Sequence, residues 1–355
     1  MADEKGVLYG ASAMALVGGS VAVSGVVTPA VMFTAGAIRY AVACLLLIGY
    51  ARRVPLPRGT EWLWLAGIAA TGLVLFNIAL VEGSRHAEPA VLGVAVASVP
   101  PVLAVAGPLL QGMRPRRYVV VAAIVVTCGA ALVDGLGRSD ALGLGFAVVV
   151  FGCEAAFTLL AVPVLGRLGP VGVSAHAAWM ASVLYAVLGL AARQPVTRLT
   201  AGQWAAVAYL AVGVTAVAFV LWYSAVGRLG PGRAGLLAGV TPVSAAITGT
   251  LLGAPVPGPA VWTGIAVVAA GLVLGFRDRP QVSTNAASIA AGTAQVLDGS
   301  EQSRTLRVVK IPAQREASTV TASPRHLPLS MYFPSMAAPP RGSPTKSISF
   351  LAGDL

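Results

Sequence analysis

Charge is what this sequence has least of. Only 10% of its 355 residues are Asp, Glu, Lys or Arg, and 6% are aromatic. A soluble domain carries about 25% charged and about 45–50% apolar residues. Here 57% are hydrophobic and mean hydropathy is +0.81. So few charges do not cover the surface of a soluble fold of this length. That excludes a cytosolic enzyme and a nucleic-acid-binding domain, despite a formal net charge of +11. Lysine occurs only at Lys5, Lys310 and Lys346, and arginine carries the remaining positive charge. With abundant Ala, Val and Gly, this composition points to a high-GC bacterial genome. Cys44, Cys128 and Cys153 all lie in apolar runs without metal-ligand or redox spacing, so they read as small packing residues. No phosphate-cradling glycine loop ending in Lys-Ser/Thr occurs, which argues against ATP as energy source. No Ser or His has a partner that would make a catalytic dyad. The expectation is a protein that is not an enzyme and needs no cofactor or metal.

What the sequence does have is a series of long apolar runs. A spanning helix needs about 20 mostly apolar residues. Breakpoints at Pro, Gly and charge clusters predict ten spans: Val7–Val27, Phe33–Ala51, Glu61–Val81, Pro89–Leu110, Tyr118–Val133, Leu142–Leu165, Ser174–Ala192, Gln203–Val226, Ala234–Gly253 and Pro259–Phe276. The fold class is therefore all-α integral membrane. Asp3 and Glu4 precede the first run, where a cleavable secretory signal would be positive. Glycines such as Gly18/Gly19 and Gly249/Gly253 would let helices approach closely. Alternate loops are rich in arginine: Arg52, Arg53 and Arg58, then Arg114, Arg116 and Arg117, then Arg167, then Arg228 and Arg233, then Arg277 and Arg279. The opposite loops carry only Arg85, Arg138, Arg193 and Arg198, partly offset by Glu88 and Asp140. The positive-inside rule makes the first set cytoplasmic and, with ten spans, places both termini there. Residues 281–355 are rich in Ser, Thr, Ala and Pro without sustained apolar period, and read as a disordered cytoplasmic tail.

The chain also repeats itself. A shift of 142 residues brings Pro89 onto Pro231, Gly93 onto Gly235, Pro100 onto Pro242, Gly107 onto Gly249 and Gly129 onto Gly271 without a gap. The shift carries the fourth span onto the ninth and the fifth onto the tenth. A unit that crosses the membrane five times delivers its copy upside down. The expectation is two inverted five-helix repeats, residues 1–134 and 135–280, with a substrate site near the midplane between them. Pro100 and Pro242 then become a matched pair of mid-span kinks that expose carbonyls beside the cavity, or else mark packing alone.

These residues resemble a known family. The stretches 221–253, LWYSAVGRLGPGRAGLLAGVTPVSAAITGTLLG, and 79–110, ALVEGSRHAEPAVLGVAVASVPPVLAVAGPLL, are similar to the paired signatures of the EamA-type branch of the drug/metabolite transporter superfamily. The likeness covers about residues 7–276. Pro100 and Pro242 match the family's midspan proline, Arg39 its second-helix arginine, and Gly129, Gly264 and Gly271 its closing-helix glycines. The family's Gly-Glu after the leucine pair is absent, with Gly112 and Ala254 at the glutamate positions. The resemblance implies a secondary transporter in the bacterial plasma membrane, exporting amino acids, metabolites or drugs by proton-coupled alternating access. The partners it implies are a small-molecule substrate, the proton and the lipid bilayer, with no nucleic acid and with a homodimer left open. The alternative is a membrane sensor or scaffold that kept the fold without transporting.

Ionisable groups at membrane depth cost about 2.5–3.5 kcal/mol on insertion scales, so the few present are the site candidates. Glu154 lies deep in the sixth span and suits a proton or substrate-cation site, or a structural acceptor between helices. Arg39 suits an anionic substrate group, a carboxylate partner, or snorkelling to the interface. Asn77 lies within the third span, facing the cavity. Trp222 and Tyr223 offer a stacking surface, or else pack against neighbours. Glu82 reads as interfacial. His176 suits proton relay or a solvated interface.

Overall fold

The computed structural model describes residues 3–20, 31–51, 53–135, 137–194, 199–251, 253 and 256–277. The 281–355 tail lies outside them. The described residues form ten helical segments: α1 Glu4–Gly19, α2 Met32–Tyr50, α3 Glu61–Gly83, α4 Pro89–Leu110, α5 Arg117–Asp134, α6 Ala141–Leu159, α7 Val162–Ala191, α8 Ala201–Leu229, α9 Pro231–Leu251 and α10 Pro259–Phe276. Among the described residues nine of these, α2 to α10, are long and apolar enough to cross a membrane. α1 is described for 16 residues, and the rest of the expected first span lies outside the described residues.

Local chemistry sets the ends. The Asp3 and Asp140 carboxylates accept from the backbone N–H groups of Gly6 and Gly143, capping α1 and α6. Thr200 and Gln203 form a reciprocal capping box at the start of α8. Pro89, Pro231 and Pro259 open α4, α9 and α10, where a missing N–H costs nothing. Gly230, at φ +76°, makes the tight turn between α8 and α9.

The sixth and seventh spans differ from expectation. α6 ends at Leu159 rather than Leu165, and α7 begins at Val162 rather than Ser174. Gly169 at φ +68°, followed by Pro170, breaks the helical path inside α7 without a loop. The Arg167 guanidinium lies on the Glu61 carboxylate and donates to the Leu56 carbonyl, so the charge read as a loop marker is satisfied on a helix.

Packing pairs the helices in a regular way. α5 lies against α10, α2 against α7 and α4 against α9; α1 contacts α8 and α9, while α6 contacts α3 and α4. The α5–α10 seam is made by small residues. A Cβ on Gly129 would meet the Val268 amide nitrogen at 2.6 Å, and one on Gly264 would meet the Gly129 carbonyl at 2.7 Å. With lipid as apolar as the side chains, such close van der Waals contact is what holds membrane helices together.

Four helices depart from α geometry. π-helix runs through α3 at Ile68–Leu75 and through α8 at Leu210–Ala218. The starts of the two stretches are 142 residues apart. α4 is interrupted at Ser98, just before Pro100, and α9 passes through a 3-10 turn at Leu237–Gly239, just before Pro242. Widened and tightened turns leave carbonyls off the normal ladder, free to bond elsewhere.

Candidate functional site

The buried centre is aromatic and lies where α2, α3, α6, α7 and α8 meet. Tyr40 and Tyr185 stack at 5.6 Å between ring centroids. The Leu73 carbonyl, inside the α3 π-stretch, accepts from Asn77 Nδ2 at 2.6 Å and from the Tyr185 hydroxyl at 3.3 Å. Asn77 Nδ2 also reaches the Tyr40 hydroxyl at 3.3 Å. Across the core, Phe157 packs on Phe219 at 4.9 Å and on Tyr223 at 5.1 Å. Trp222 Nε1 donates to Thr158 Oγ1 at 3.0 Å, and the Tyr223 hydroxyl donates to the Phe157 carbonyl at 3.1 Å. Thus α8 clamps α6 one turn beyond Glu154, on the face Glu154 shares at i+3 and i+4 spacing.

Two cavities flank this centre. The larger, about 640 Å³, lies toward the arginine-rich end of the bundle and is lined by Tyr9, Gln111, Leu165, Pro170, Tyr223 and Arg228 among others. The smaller, about 120 Å³, is lined by Arg39, Tyr40, Asn77 and Tyr185 with the apolar Met32, Leu80 and Val81. Arg39 Nε donates to Thr215 Oγ1 at 2.9 Å, and its guanidinium carbon stands 5.0 Å from the Tyr40 ring centre. Thr215 sits in the α8 π-stretch and donates to the Leu210 carbonyl five residues back.

Each end of the bundle is also tied by charge. At the arginine-rich end Arg228 pairs with Asp3 at 3.1 Å, which joins α8 to the cap of α1. At the other end His86 Nδ1 meets Asp140 at 2.9 Å, which joins the end of α3 to the cap of α6. There Arg138 pairs with Glu88 at 3.0 Å, and backbone bonds link Glu88 to Arg138 and Asp140 to His86 around an Ala87–Ser139 bridge. All three carboxyls are held below the ordinary carboxylate range. The cause is chiefly the Arg228 hydrogen bond for Asp3, the Arg138 hydrogen bond for Glu88, and the Gly143 N–H followed by His86 for Asp140.

The profile of the EamA-like transporter family matches residues 4–134 and again residues 141–277. The chain belongs to the EamA-like transporter family. It is similar to the uncharacterized transporter YetK of Bacillus subtilis (strain 168), with 26% identity over 261 residues, 69% of this chain and 79% of the relative. A solved crystal structure of another protein shares the fold at a TM-score of 0.66 and 21% identity, covering 77% of this chain and 96% of its own. The nine long apolar helices fit a multi-pass EamA-like protein.

Within this EamA-like fold the candidates separate. Arg39 and Asn77 come together at the smaller cavity. Glu154 is half-buried on α6 and has no hydrogen bond or ion pair among the described residues. It lines neither cavity, although Phe157, one turn on, packs against Tyr223, which borders the larger one. Pro100 and Pro242 are buried at the interruptions of α4 and α9 and line neither cavity. Trp222 is buried at 3% exposure and packed against α6, and it faces neither cavity. His176 is not solvated: it is buried, with Trp179 Nε1 donating to Nδ1 and Nε2 facing the Pro55 carbonyl at 2.9 Å. Since Trp only donates and a carbonyl only accepts, this network assigns a neutral Nε2–H ring. Glu82 makes an exposed ion pair with Arg85. Gly112 stands exposed at φ +68° just past α4, and Ala254 lies outside the described residues. Sequence reasoning missed Tyr40 and Tyr185, which line the smaller cavity, and Thr215, which holds Arg39 from α8; only the run of Tyr beside Arg at 39–40 hints at them. Among the described residues no cluster of three or more His, Cys, Asp or Glu could hold a metal ion.

Proposed function

We propose that the chain is a secondary active transporter that exports small metabolites, amino acids or drugs by proton-coupled alternating access. Its two five-helix halves, residues 1–134 and 135–280, are inverted with respect to each other, and both termini are cytoplasmic in a bacterial plasma membrane. The observation that carries this reading is the pairing of contacts across the halves. A two-fold relation requires that if residue i of one half touches j of the other, the mates of i and j touch as well. Gly129 packs on Val268 and Gly271 on Val126, which are mates under the 142-residue shift. Asp3, capping α1, pairs with Arg228; Asp140, capping α6, pairs with His86, the residue 142 before Arg228. The two π-stretches obey the same shift. Inverted repeats of this kind rock about a central site and expose it to each side in turn. The cavities to either side of one aromatic core fit that geometry.

Glu154 is the coupling residue in this proposal. A carboxyl without a partner among the described residues, one turn from the aromatic clamp whose Tyr223 borders the larger cavity, is able to exchange a proton for a substrate cation as access alternates. The test is flux in proteoliposomes of the purified full chain, with a pH gradient imposed or collapsed across a substrate panel. Glu154→Gln is expected to insert normally, to exchange substrate at equal pH, and to lose accumulation against a gradient. Unchanged pH-driven accumulation in that variant would refute the coupling role. Absence of flux for every substrate would favour the sensor or scaffold reading.

A further inference from the structure

We propose that the smaller cavity is a carboxylate-binding subsite, in which Arg39 and the Tyr40 hydroxyl take the singly charged head of a small monocarboxylate. The proposal rests on the transporter reading for its consequence, which names the substrate class, and on the cavity's own chemistry for binding.

Donors are in excess there. Arg39 carries five N–H groups, and only Nε has a partner among the described residues, the Thr215 hydroxyl. Neither terminal nitrogen bonds or pairs with any described residue, and no carboxylate faces the cavity. The Tyr40 hydroxyl accepts from Asn77 Nδ2, which leaves its own proton directed elsewhere. Asn77 spends one of its N–H groups on the Leu73 carbonyl, and Tyr185 spends its hydroxyl on the same carbonyl. The open positions are thus the terminal Arg39 N–H groups and the Tyr40 O–H, against one open acceptor, the Asn77 Oδ1, and the single formal charge is positive. A half-buried guanidinium without a counter-ion is costly in this setting. An anion that arrives with the ligand removes that cost.

Shape narrows the anion. The guanidinium fork is planar and held by Thr215 at one edge and the Tyr40 ring beside it, so its outer edge suits the parallel oxygens of a carboxylate. One arginine balances one negative charge, and a phosphate dianion would leave a second charge unpaired. The remaining wall is Met32, Leu80, Val81 and the Tyr185 ring, which fit a short apolar chain. At about 120 Å³ the space admits a molecule the size of a small branched acid. The second half offers no duplicate, because the position 142 residues after Arg39 is Ala181.

The test is equilibrium binding to the purified full chain in lipid nanodiscs, by titration calorimetry, with isovalerate, isovaleramide, isopentylamine and inorganic phosphate as probes. Isovalerate is expected to bind saturably, with the amide, the amine and phosphate at least about tenfold weaker, the scale of a lost charge-assisted hydrogen bond. Arg39→Gln is expected to abolish the preference for isovalerate over isovaleramide, and Tyr40→Phe to reduce it with the cavity intact. Equal binding of isovalerate and isovaleramide by the native chain would overturn the proposal without need of any variant, as would stronger binding of phosphate. Flux separates this from the transporter reading. Transport that ignores both isovalerate and Arg39→Gln sinks the subsite and leaves the transporter. Selective isovalerate binding without flux of any substrate in the panel leaves the subsite and sinks the transporter.

Discussion

The α5–α10 seam makes the sharpest quantitative forecast, through Gly129→Ala. The new methyl would stand 2.6 Å from the Val268 nitrogen and 2.9 Å from the Gly264 carbonyl oxygen. Both are backbone atoms of α10, so no rotamer change relieves the contact and the helices must separate. Overpacking of this kind costs about 1–3 kcal/mol. The helix itself exists in the separated state of a membrane protein, so the propensity gained by replacing glycine, about 0.5–1 kcal/mol in water, largely cancels. At about 2–4 °C per kcal/mol for a domain of this size, Tm in detergent should fall by roughly 2–12 °C. Gly264→Ala should fall as far, since its methyl would meet the Gly129 carbonyl at 2.7 Å and the Val133 nitrogen at 2.8 Å. Gly271→Ala should fall less, because its nearest atom is the Val126 side chain, with the Val126 nitrogen at 3.0 Å. Gly152→Ala, on α6 with nothing within 4 Å, is the control and should leave Tm unchanged. The measurement is thermal unfolding of the four purified variants. If Gly129→Ala melts with Gly152→Ala, close approach of α5 and α10 is not what stabilises this fold.

Trp222→Phe keeps the apolar contact but strands the Thr158 hydroxyl at 1% exposure. It should cost about 1–3 kcal/mol, read as a lowered unfolding midpoint. In a chain cleared of Cys44, Cys128 and Cys153, single cysteines at Arg53 and Arg116 should react with an impermeant maleimide only after the cytoplasmic side is opened; labelling in intact cells would invert the topology. Acidification should loosen the polar ties at the two ends. Asp3, Glu88 and Asp140 have depressed folded-state pKa values. Their contribution is therefore present above the ordinary carboxylate range and lost as pH falls through the folded values. The acid limb of a stability–pH curve should be shallower in Asp140→Asn than in the native chain.

The spans were legible because hydropathy and punctuation suffice for them, and Pro89–Leu110 and Pro259–Phe276 stand at the expected residues. The α6–α7 boundary was not, because Gly166, Arg167, Gly169 and Pro170 look like a loop. Nothing local says that Arg167 finds Glu61, more than a hundred residues earlier, and so tolerates a helix. The π-stretches had no compositional mark either: IAATGLVL and LAVGVTAVA read as ordinary apolar helix. Arg39 and Asn77 were visible as polar groups in apolar runs. Their partners were not, since Thr215 lies 176 positions from Arg39 and Tyr185 reaches Leu73 across 112. A single sequence carries the cost of burying a charge but not the address of the group that meets it.

The proposed inversion also explains where the chemistry lies. A frame with true two-fold symmetry in the membrane plane presents the same energy to both sides, so the frame alone gives exchange without direction. Direction needs groups that break the pairing. Under the 142-residue shift the framework residues find mates: Gly129 and Gly271, Val126 and Val268, Pro100 and Pro242. Arg39 and Glu154, set inside the bundle without a carboxylate or ammonium partner among the described residues, do not. Arg39 falls on Ala181, and Glu154, counted from the matched caps Asp3 and Asp140, falls on Val17. The end ties differ too, with the Arg228 guanidinium at one end and the His86 imidazole at the other. Substitutions should therefore divide by pairing. Changes at Gly129 or Gly264 should lower stability and slow transport in both directions alike. Changes at Arg39 or Glu154 should alter the ratio of inward to outward flux, and at Glu154, which bonds to no described residue, the unfolding midpoint should stay nearly unmoved. A Glu154→Gln variant that lost stability as severely as Gly129→Ala, with its flux ratio intact, would place the carboxyl in the framework instead.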